Sequence, residues 1–140
     1  MGLIHIDLFT TLDGVAQAPG GPDEDTEGGF AFGGWQAPLS DALVGEQVVA
    51  GMEGLDALLL GRRTYDIFAG FWPGQDEGID GGIARLFNAV PKYVASRSLK
   101  PQDMTWNSTL LSPDDAVGDI AQLRAKEGGD LVTWGSISLV

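Results

Sequence analysis

The chain contains no cysteine and a single histidine, His5, and these two scarcities exclude several kinds of chemistry. Without cysteine there are no disulfides and no thiolate metal sites, which fits a protein of the reducing cytosol. One histidine and no G-x-S-x-G motif leave a serine–histidine–acid triad without support, so we interpret His5 as a core or sheet-face residue. The two commonest phosphate loops, G-x-G-x-x-G and G-x-x-x-x-G-K-[ST], are absent as well.

Basic residues are also scarce. The chain has eight lysines and arginines but 20 aspartates and glutamates, and its net charge is −12. This charge argues against a nucleic-acid partner. No apolar run is long enough to span a membrane and the start lacks a signal peptide's basic region, so we expect a cytoplasmic protein without membrane contact. Six of the eight basic residues lie between positions 62 and 100, which points mildly to an anion site: Arg62, Arg63, Arg85, Lys92, Arg97 and Lys100.

Apolar segments with strand periodicity alternate with helical ones along the 140 residues. This alternation predicts a single α/β domain, residues 1–140, built as a sandwich around a mostly parallel sheet. Strands are predicted at 3–10, 57–60, 91–95, 106–111 and 131–134, and the nearly apolar first strand is expected to be covered on both sides. Helices are predicted from Ser40 or Asp41 to Gly54, at 64–71, within 81–90, and from a cap at Ser112 to the stop signal Gly128-Gly129. The inner stripe of the first helix is expected to consist of Leu43, Val44, Gln47, Val48 and Met52.

Residues 17–38 form a loop that is rich in glycine, proline and acidic residues. A loop of about twenty residues in a small domain is usually functional or disordered. Its aromatic residues Phe30, Phe32 and Trp35 need something to pack on, which argues against simple disorder. We therefore predict a lid beside a binding site.

Three predicted strands end in similar polar turns, Gly61-Arg62, Ser96-Arg97 and Gly135-Ser136. Ligands of α/β sheets bind outside the carboxyl ends of the strands, so these turns are expected to share one groove. Backbone N–H groups, hydroxyls and arginines suit phosphates, and Thr64 opens the helix after the first turn. Each turn alone fits an ordinary structural turn better than a binding site. Together they favour a nucleotide with several phosphates.

A nucleotide cofactor could carry out a reaction for which this chain has few catalytic side chains of its own. Hydride transfer needs no protein nucleophile, because the protein only positions donor and acceptor and supplies a proton route. Asp13 follows the first strand and is our candidate catalytic residue. It would either bind a polar heterocycle or relay a proton. An ordinary Asp-Gly turn with Gly14 is an equally good interpretation. No metal site is expected.

Several motifs, taken in order, resemble the dihydrofolate reductase-like superfamily. The closer similarity is to the reductase domain of riboflavin biosynthesis and its stand-alone bacterial relatives, and it covers essentially the whole chain. The motifs that carry it are Thr11-Leu12-Asp13-Gly14, Gln17-Ala18-Pro19-Gly20-Gly21-Pro22, Gly33-Gly34-Trp35, Leu60-Gly61-Arg62-Arg63-Thr64-Tyr65, Tyr93-Val94-Ala95-Ser96-Arg97-Ser98 and Asp130-Leu131-Val132-Thr133-Trp134-Gly135-Ser136.

The resemblance implies a three-layer fold that binds NADPH and reduces a small pyrimidine- or pteridine-like molecule. The activity would resemble that of the phosphoribosylaminouracil reductase of riboflavin biosynthesis or of dihydrofolate reductase. Gly61, Arg62 and Thr64 would hold the phosphates. Ser96 and Arg97 would bind the adenosine 2′-phosphate end. Gly135 and Ser136 would lie at the pyrophosphate, with Asp13 near the substrate.

The resemblance also raises expectations about assembly. Members of the family usually continue beyond Ser138-Leu139-Val140 with a helix and further strands, so the chain is expected to be C-terminally truncated relative to them. The first strand would then lie at an exposed sheet edge and pair with a second copy, giving a homo-oligomer. Alternatives to the reductase are a non-catalytic nucleotide-binding or self-associating module, or an inactive reductase fragment.

Overall fold

Five strands form one parallel sheet in the computed structural model, which describes residues 1–75, 81–126 and 130–140. The strand order across the sheet is β1-β5-β2-β3-β4. The prediction of an α/β fold with a mostly parallel sheet is thereby confirmed. The strand bounds are β1 Ile4–Asp7, β2 Leu55–Gly61, β3 Lys92–Ala95, β4 Ser108–Leu110 and β5 Asp130–Trp134.

In the described residues, four α-helices lie between these strands: α1 Ala42–Gly51, α2 Arg62–Phe71, α3 Gly81–Ala89 and α4 Ala116–Ala125. The first three pack on one face of the sheet, where their side chains share an apolar cluster with β2, β3 and β5. The connection from β4 through α4 runs back across the sheet to β5, and the right-handed crossover rule then places α4 on the opposite face. None of the described helices is long and apolar enough to cross a bilayer.

The core lies over the central strands β2 and β5, because these are covered on both faces. In β2, six of seven residues are buried and only Asp56 is exposed. Near-continuous apolar runs of this kind are typical of inner strands in parallel sheets. The buried cluster consists of Met52, Leu55, Leu58, Leu60, Tyr65, Phe68, Phe87, Val94 and Val132.

The helix starts follow local capping chemistry. The Asp41 carboxylate accepts a hydrogen bond from Val44 N at 2.9 Å and caps α1, as predicted. The prediction that Ser112 caps α4 was wrong by three residues. Asp115 is the cap, accepting from Gly118 N at 2.9 Å, while Ser112 Oγ accepts from Asp115 N. The predicted stop at 128–129 lies outside the described residues.

Two burial predictions were also wrong. Leu43, assigned to the inner stripe of α1, is 64% exposed, whereas Val44 and Val48 of the same stripe are half-buried. The first strand was expected to be covered on both sides, but Ile6 is 57% exposed. The reason is positional: β1 pairs with β5 alone among the described strands and therefore lies at an edge. Alternation within a strand does not reveal its position in the sheet.

Lys92 is fully buried at the start of β3, and no carboxylate accompanies it in the described part of the chain. Its Nζ lies 4.1 Å from the centroid of the Trp106 ring and 3.5 Å from the Asn88 carbonyl oxygen. Burial lowers the pKa of Lys92 to about 8. The side chain is at the end of β3 opposite to Ser96, so it adds nothing to an anion site there.

Replacing Lys92 with methionine should stabilise the fold at neutral pH, since the buried cation must be desolvated there. An upper bound for the gain is about 3 kcal/mol, reduced by the lost cation–π contact. The folded pKa lies below the unfolded one, so wild-type stability should rise as pH increases from about 8 towards 10.5. Chemical denaturation across this range should show that rise in wild type and not in Lys92→Met. Lys100→Met, at an exposed lysine, should retain it.

Tyr65 joins α2 to the segment that precedes β4. Its hydroxyl oxygen accepts hydrogen bonds from Thr105 N at 2.8 Å and from Ser108 Oγ at 3.2 Å. The ring itself is buried in the core. One hydroxyl therefore satisfies polar groups of a segment that has little secondary structure of its own.

The Tyr65→Phe variant should lower the free energy of unfolding by about 1–3 kcal/mol, because the amide of Thr105 loses its partner. Denaturant titration measures the change. Tyr93→Phe is the matched control, and a shift within about 0.5 kcal/mol is expected there. Equal effects of the two substitutions would contradict the role assigned to the Tyr65 hydroxyl.

Candidate functional site: a cavity at the carboxyl ends of the strands

The three predicted turns converge on one cavity of about 1000 Å³. It lies at the carboxyl ends of β2, β3 and β5, as the parallel sheet requires, with Gly61 beside Ala95 in the ladder. All seven residues predicted to bind a cofactor line it: Gly61, Arg62, Thr64, Ser96, Arg97, Gly135 and Ser136. The structure thus brings together residues separated by up to 75 positions.

Ser136 fastens the turn after β5 to the turn after β2. Its Oγ accepts a hydrogen bond from Gly61 N at 2.9 Å, and its own N–H donates to Thr64 Oγ1 at 2.9 Å. The residue is buried and left-handed, with φ of 49°. Gly135 before it has φ of 64°, a conformation that glycine tolerates best. These two hydrogen bonds set the distance between the walls of the cavity.

The turn after β3 is ordered by its own serines and by Arg62. Ser96 Oγ accepts hydrogen bonds from Ser98 N at 3.2 Å and Leu99 N at 3.1 Å. Arg62 Nη1 donates to Ser98 Oγ at 2.7 Å and so bridges the ends of β2 and β3. Arg97 is exposed at the cavity wall. Arg62 and Arg97 thus both line the cavity.

The amino end of α2 points into this cavity with its first-turn amides uncapped. Gly61 is the N-cap residue, and no side chain makes a capping hydrogen bond there. The first amides of a helix lack internal partners, and the helix dipole adds positive potential at the same place. A phosphate is a suitable partner for these amides.

Part of the lining is apolar and aromatic. Leu8, Phe9, Phe68 and Trp134 contribute to it, and the rings of Phe9 and Trp134 meet edge to face with centroids 5.8 Å apart. Small-molecule sites are commonly built in this way, with an apolar wall and a few directed polar groups. The cavity can therefore accommodate a flat heterocycle beside a charged phosphate chain.

The cavity is less basic than the positions of the basic residues in the sequence indicate. Of the six basic residues between 62 and 100, only Arg62, Arg63 and Arg97 line it. Four carboxylates line it as well: Glu24, Asp25, Glu27 and Asp66. Arg62 Nε lies 3.3 Å from Asp66 Oδ2, and Arg63 pairs with Asp25 and Glu27. Affinity for phosphate would therefore depend on the α2 amides and hydroxyls as much as on net charge.

Asp13 does not lie with the other predicted site residues. It is exposed in the turn after β1, where the Thr11 hydroxyl donates to Asp13 Oδ1 at 2.6 Å. That hydrogen bond holds the pKa of Asp13 below its ordinary value, which does not favour the role of an acid near neutral pH. The side chain is not part of the cavity lining. Its catalytic role stays a prediction.

Sequence reasoning did not assign a role to Ser98, Trp134 or the loop carboxylates, and it counted Arg63 towards an anion site rather than as their partner. Of these residues, Ser98 was the easiest to predict, because it belongs to the motif Tyr93-Val94-Ala95-Ser96-Arg97-Ser98. In the structure it lies beside Arg62. Pairing of Arg63 with Asp25 and Glu27 spans 36 to 38 positions, and no local pattern marks it. In the described residues, no group of histidines and carboxylates is arranged to hold a metal ion.

Comparison with known proteins agrees with this architecture. The family model described as the RibD C-terminal domain matches residues 3–140. A search of curated proteins finds no match. Because the family match covers almost the whole chain, and the parallel sheet has the expected α/β form, the family is established. The chain belongs to the RibD C-terminal domain family, the dihydrofolate reductase-like reductase domain of riboflavin biosynthesis.

Proposed function

We propose that this protein is an NADPH-dependent reductase that transfers hydride to a small heterocyclic substrate of pyrimidine or pteridine type. The observation that carries the proposal is the convergence of three strand-end turns on one cavity. Membership of a reductase family supports the reaction class. The size of the cavity, about 1000 Å³, is at the upper end of the range for small-molecule sites and leaves room for cofactor and substrate together.

The residues present fit the proposed cofactor. The uncapped α2 amides, with Thr64, Gly135 and Ser136 around them, would hold the pyrophosphate. Arg97 and Ser96, with Arg62 nearby, would bind the 2′-phosphate. When bound, the cofactor supplies the hydride, and the protein needs no nucleophile of its own. The aromatic wall formed by Phe9 and Trp134 would place and desolvate flat rings.

NADPH and NADH titrations of wild type and an Arg97→Ala variant test the cofactor assignment. Loss of one charged hydrogen-bonding partner should weaken NADPH binding by about 10- to 100-fold, or roughly 1.5–3 kcal/mol. NADH lacks the 2′-phosphate, so its affinity should stay unchanged. Enhancement of dinucleotide fluorescence measures both affinities.

Arg85→Ala is the matched control, since Arg85 is exposed on α3 outside the cavity lining. Equal losses of NADPH and NADH affinity in Arg97→Ala would contradict the assignment to the 2′-phosphate. Turnover with pyrimidine or dihydropterin substrates would then separate an enzyme from a nucleotide-binding module. Tight NADPH binding without turnover of any such substrate would favour the module.

We also propose that β1 pairs with β1 of a second copy. The segment Leu3 to Phe9 is self-complementary in an antiparallel pair centred on Ile6. His5 would then lie opposite Asp7 of the second copy, and Ile4 opposite its Leu8. Ile6, 57% exposed at present, would be covered by its own equivalent. The apolar pairs favour this register, whereas His5 already hydrogen-bonds Asp130 of its own chain at 2.8 Å.

Light scattering over a wide range of protein concentration tests the self-association. Wild type should form a dimer, and Ile6→Lys should shift the equilibrium to monomer because a charged edge residue opposes strand pairing. Leu43→Lys, at an exposed leucine on α1, is the control and should leave the dimer intact. A wild-type monomer at every concentration would overturn the proposal.

A further inference from the structure

Two consecutive arginines begin α2, and they point to different partners. Neighbouring residues on a helix project about 100° apart, so both cannot serve the same ligand equally. Arg62 Nη1 reaches Ser98 at the end of β3, and only its Nε lies near a carboxylate, 3.3 Å from Asp66 Oδ2 on the same helix. Arg63 reaches the loop 17–38, where its Nη1 lies 3.1 Å from Asp25 Oδ2 and also contacts Glu27.

The loop presents these carboxylates from a locally ordered segment. The Gln17 amide donates to the carbonyl oxygens of Asp25 and Glu27 at 3.3 and 3.0 Å. Glu24 Oε2 accepts from Gly20 N at 2.7 Å and from Gly21 N at 3.1 Å. Hydrogen bonds within the loop therefore contribute to its shape.

The two ends of the loop are also pressed together. A Cβ at Gly33 would lie 2.5 Å from the Pro22 carbonyl oxygen, so only glycine fits there. Gly34 N donates to Ala18 O at 2.8 Å. Ala18 is buried, lines the cavity and has a φ of 46°, which is unusual for a residue with a side chain. This part of the loop forms one wall of the proposed cofactor site.

Arg63 is the polar connection between this loop and the sheet. Within the described residues, the hydrogen bonds that join residues 17–38 to α2 and the strands all come from Arg63. Burial alone would raise the pKa of Asp25, but the Glu27 amide and Arg63 outweigh this and hold it below its ordinary value. The Arg63 hydrogen bond likewise lowers the pKa of Glu27. All three groups are charged at neutral pH.

We propose that Arg63 is a positioning residue that fastens the loop 17–38 as the wall of the cofactor site, while Arg62 remains for the phosphate of the ligand. A cation in the first turn of a helix opposes the helix dipole, and the two carboxylates of the loop compensate for it. Arg63 thereby loses its availability to an anionic ligand. The inference rests on the proposed function, since the ligand is NADPH.

Hydrogen exchange of the loop peptides, measured alongside NADPH titration, tests this division of roles. Arg63→Gln should speed exchange within residues 17–38 by about three- to tenfold, as expected for loss of two partly exposed ion pairs. Arg62→Gln should leave loop exchange unchanged and weaken NADPH binding. Arg63→Lys keeps the charge and should restore slow exchange. The NADPH dissociation rate should rise in Arg63→Gln because the wall of the site loosens.

Asp25→Asn removes one of the two ion pairs of Arg63 and should reproduce part of the effect of Arg63→Gln, while keeping an oxygen for the Glu27 amide. Adding Asp25→Asn to Arg63→Gln should produce no further change, because one interaction has already been removed. Asp23→Asn, at an exposed carboxylate in the same loop, controls for the change in charge. Fast loop exchange in Asp23→Asn, or unchanged exchange in Arg63→Gln, would overturn the inference.

The two proposals fail in different ways. If wild type does not bind NADPH, and Arg63→Gln still speeds loop exchange, the cofactor assignment fails and attachment of the loop by Arg63 stands. If NADPH binds and Arg63→Gln changes neither loop exchange nor NADPH dissociation, the cofactor assignment stands and the role of Arg63 fails.

Discussion

The site depends on one small hydrogen-bonding unit, in which Ser136 accepts from Gly61 N and donates to Thr64 Oγ1. This unit fixes the turn after β5 against the amino end of α2. Because Ser136 is buried, the two hydrogen bonds are protected from competition with water. The left-handed Gly135-Ser136 backbone is the local distortion that makes them possible. The cavity and its exposed amides follow from this junction.

Around the junction, the molecule separates rigid from adjustable parts. The central strands and the aromatic residues of α2 and α3 form a packed support, with Phe68 and Phe87 stacked at 5.7 Å. The loop 17–38 lies outside that support; Ala18 is its buried apolar residue, and its polar connection to α2 is the pair of ion pairs of Arg63. Ion pairs that are partly exposed are weak, so such a wall is more easily displaced than the strand ends it faces. The loop 17–38 and the strand-end turns, which line the same cavity, thus differ in stability.

The charge pattern illustrates how far sequence reasoning extends. Six basic residues clustered in the chain indicated an anion site, and three of them line the cavity. Lys92 belongs to the opposite end of its strand and is buried beside Trp106. The direction of β3 explains why Lys92 lies away from the cavity. Lys92 begins the strand and Ser96 follows its end, so four positions separate the two ends of the sheet. Position along a strand, rather than proximity in sequence, selects the members of a site.

The sequence by itself determined the α/β class, the order of elements, the three polar turns and the family, because each is encoded by local periodicity or by short contiguous motifs. Only the tertiary structure decided that Arg63 pairs with the loop, that Asp13 stays outside the cavity and that Ile6 is exposed. These outcomes depend on which strand is an edge and on contacts across 36 or more positions. Long-range contacts of this kind arise from packing the whole chain, and no local pattern records them.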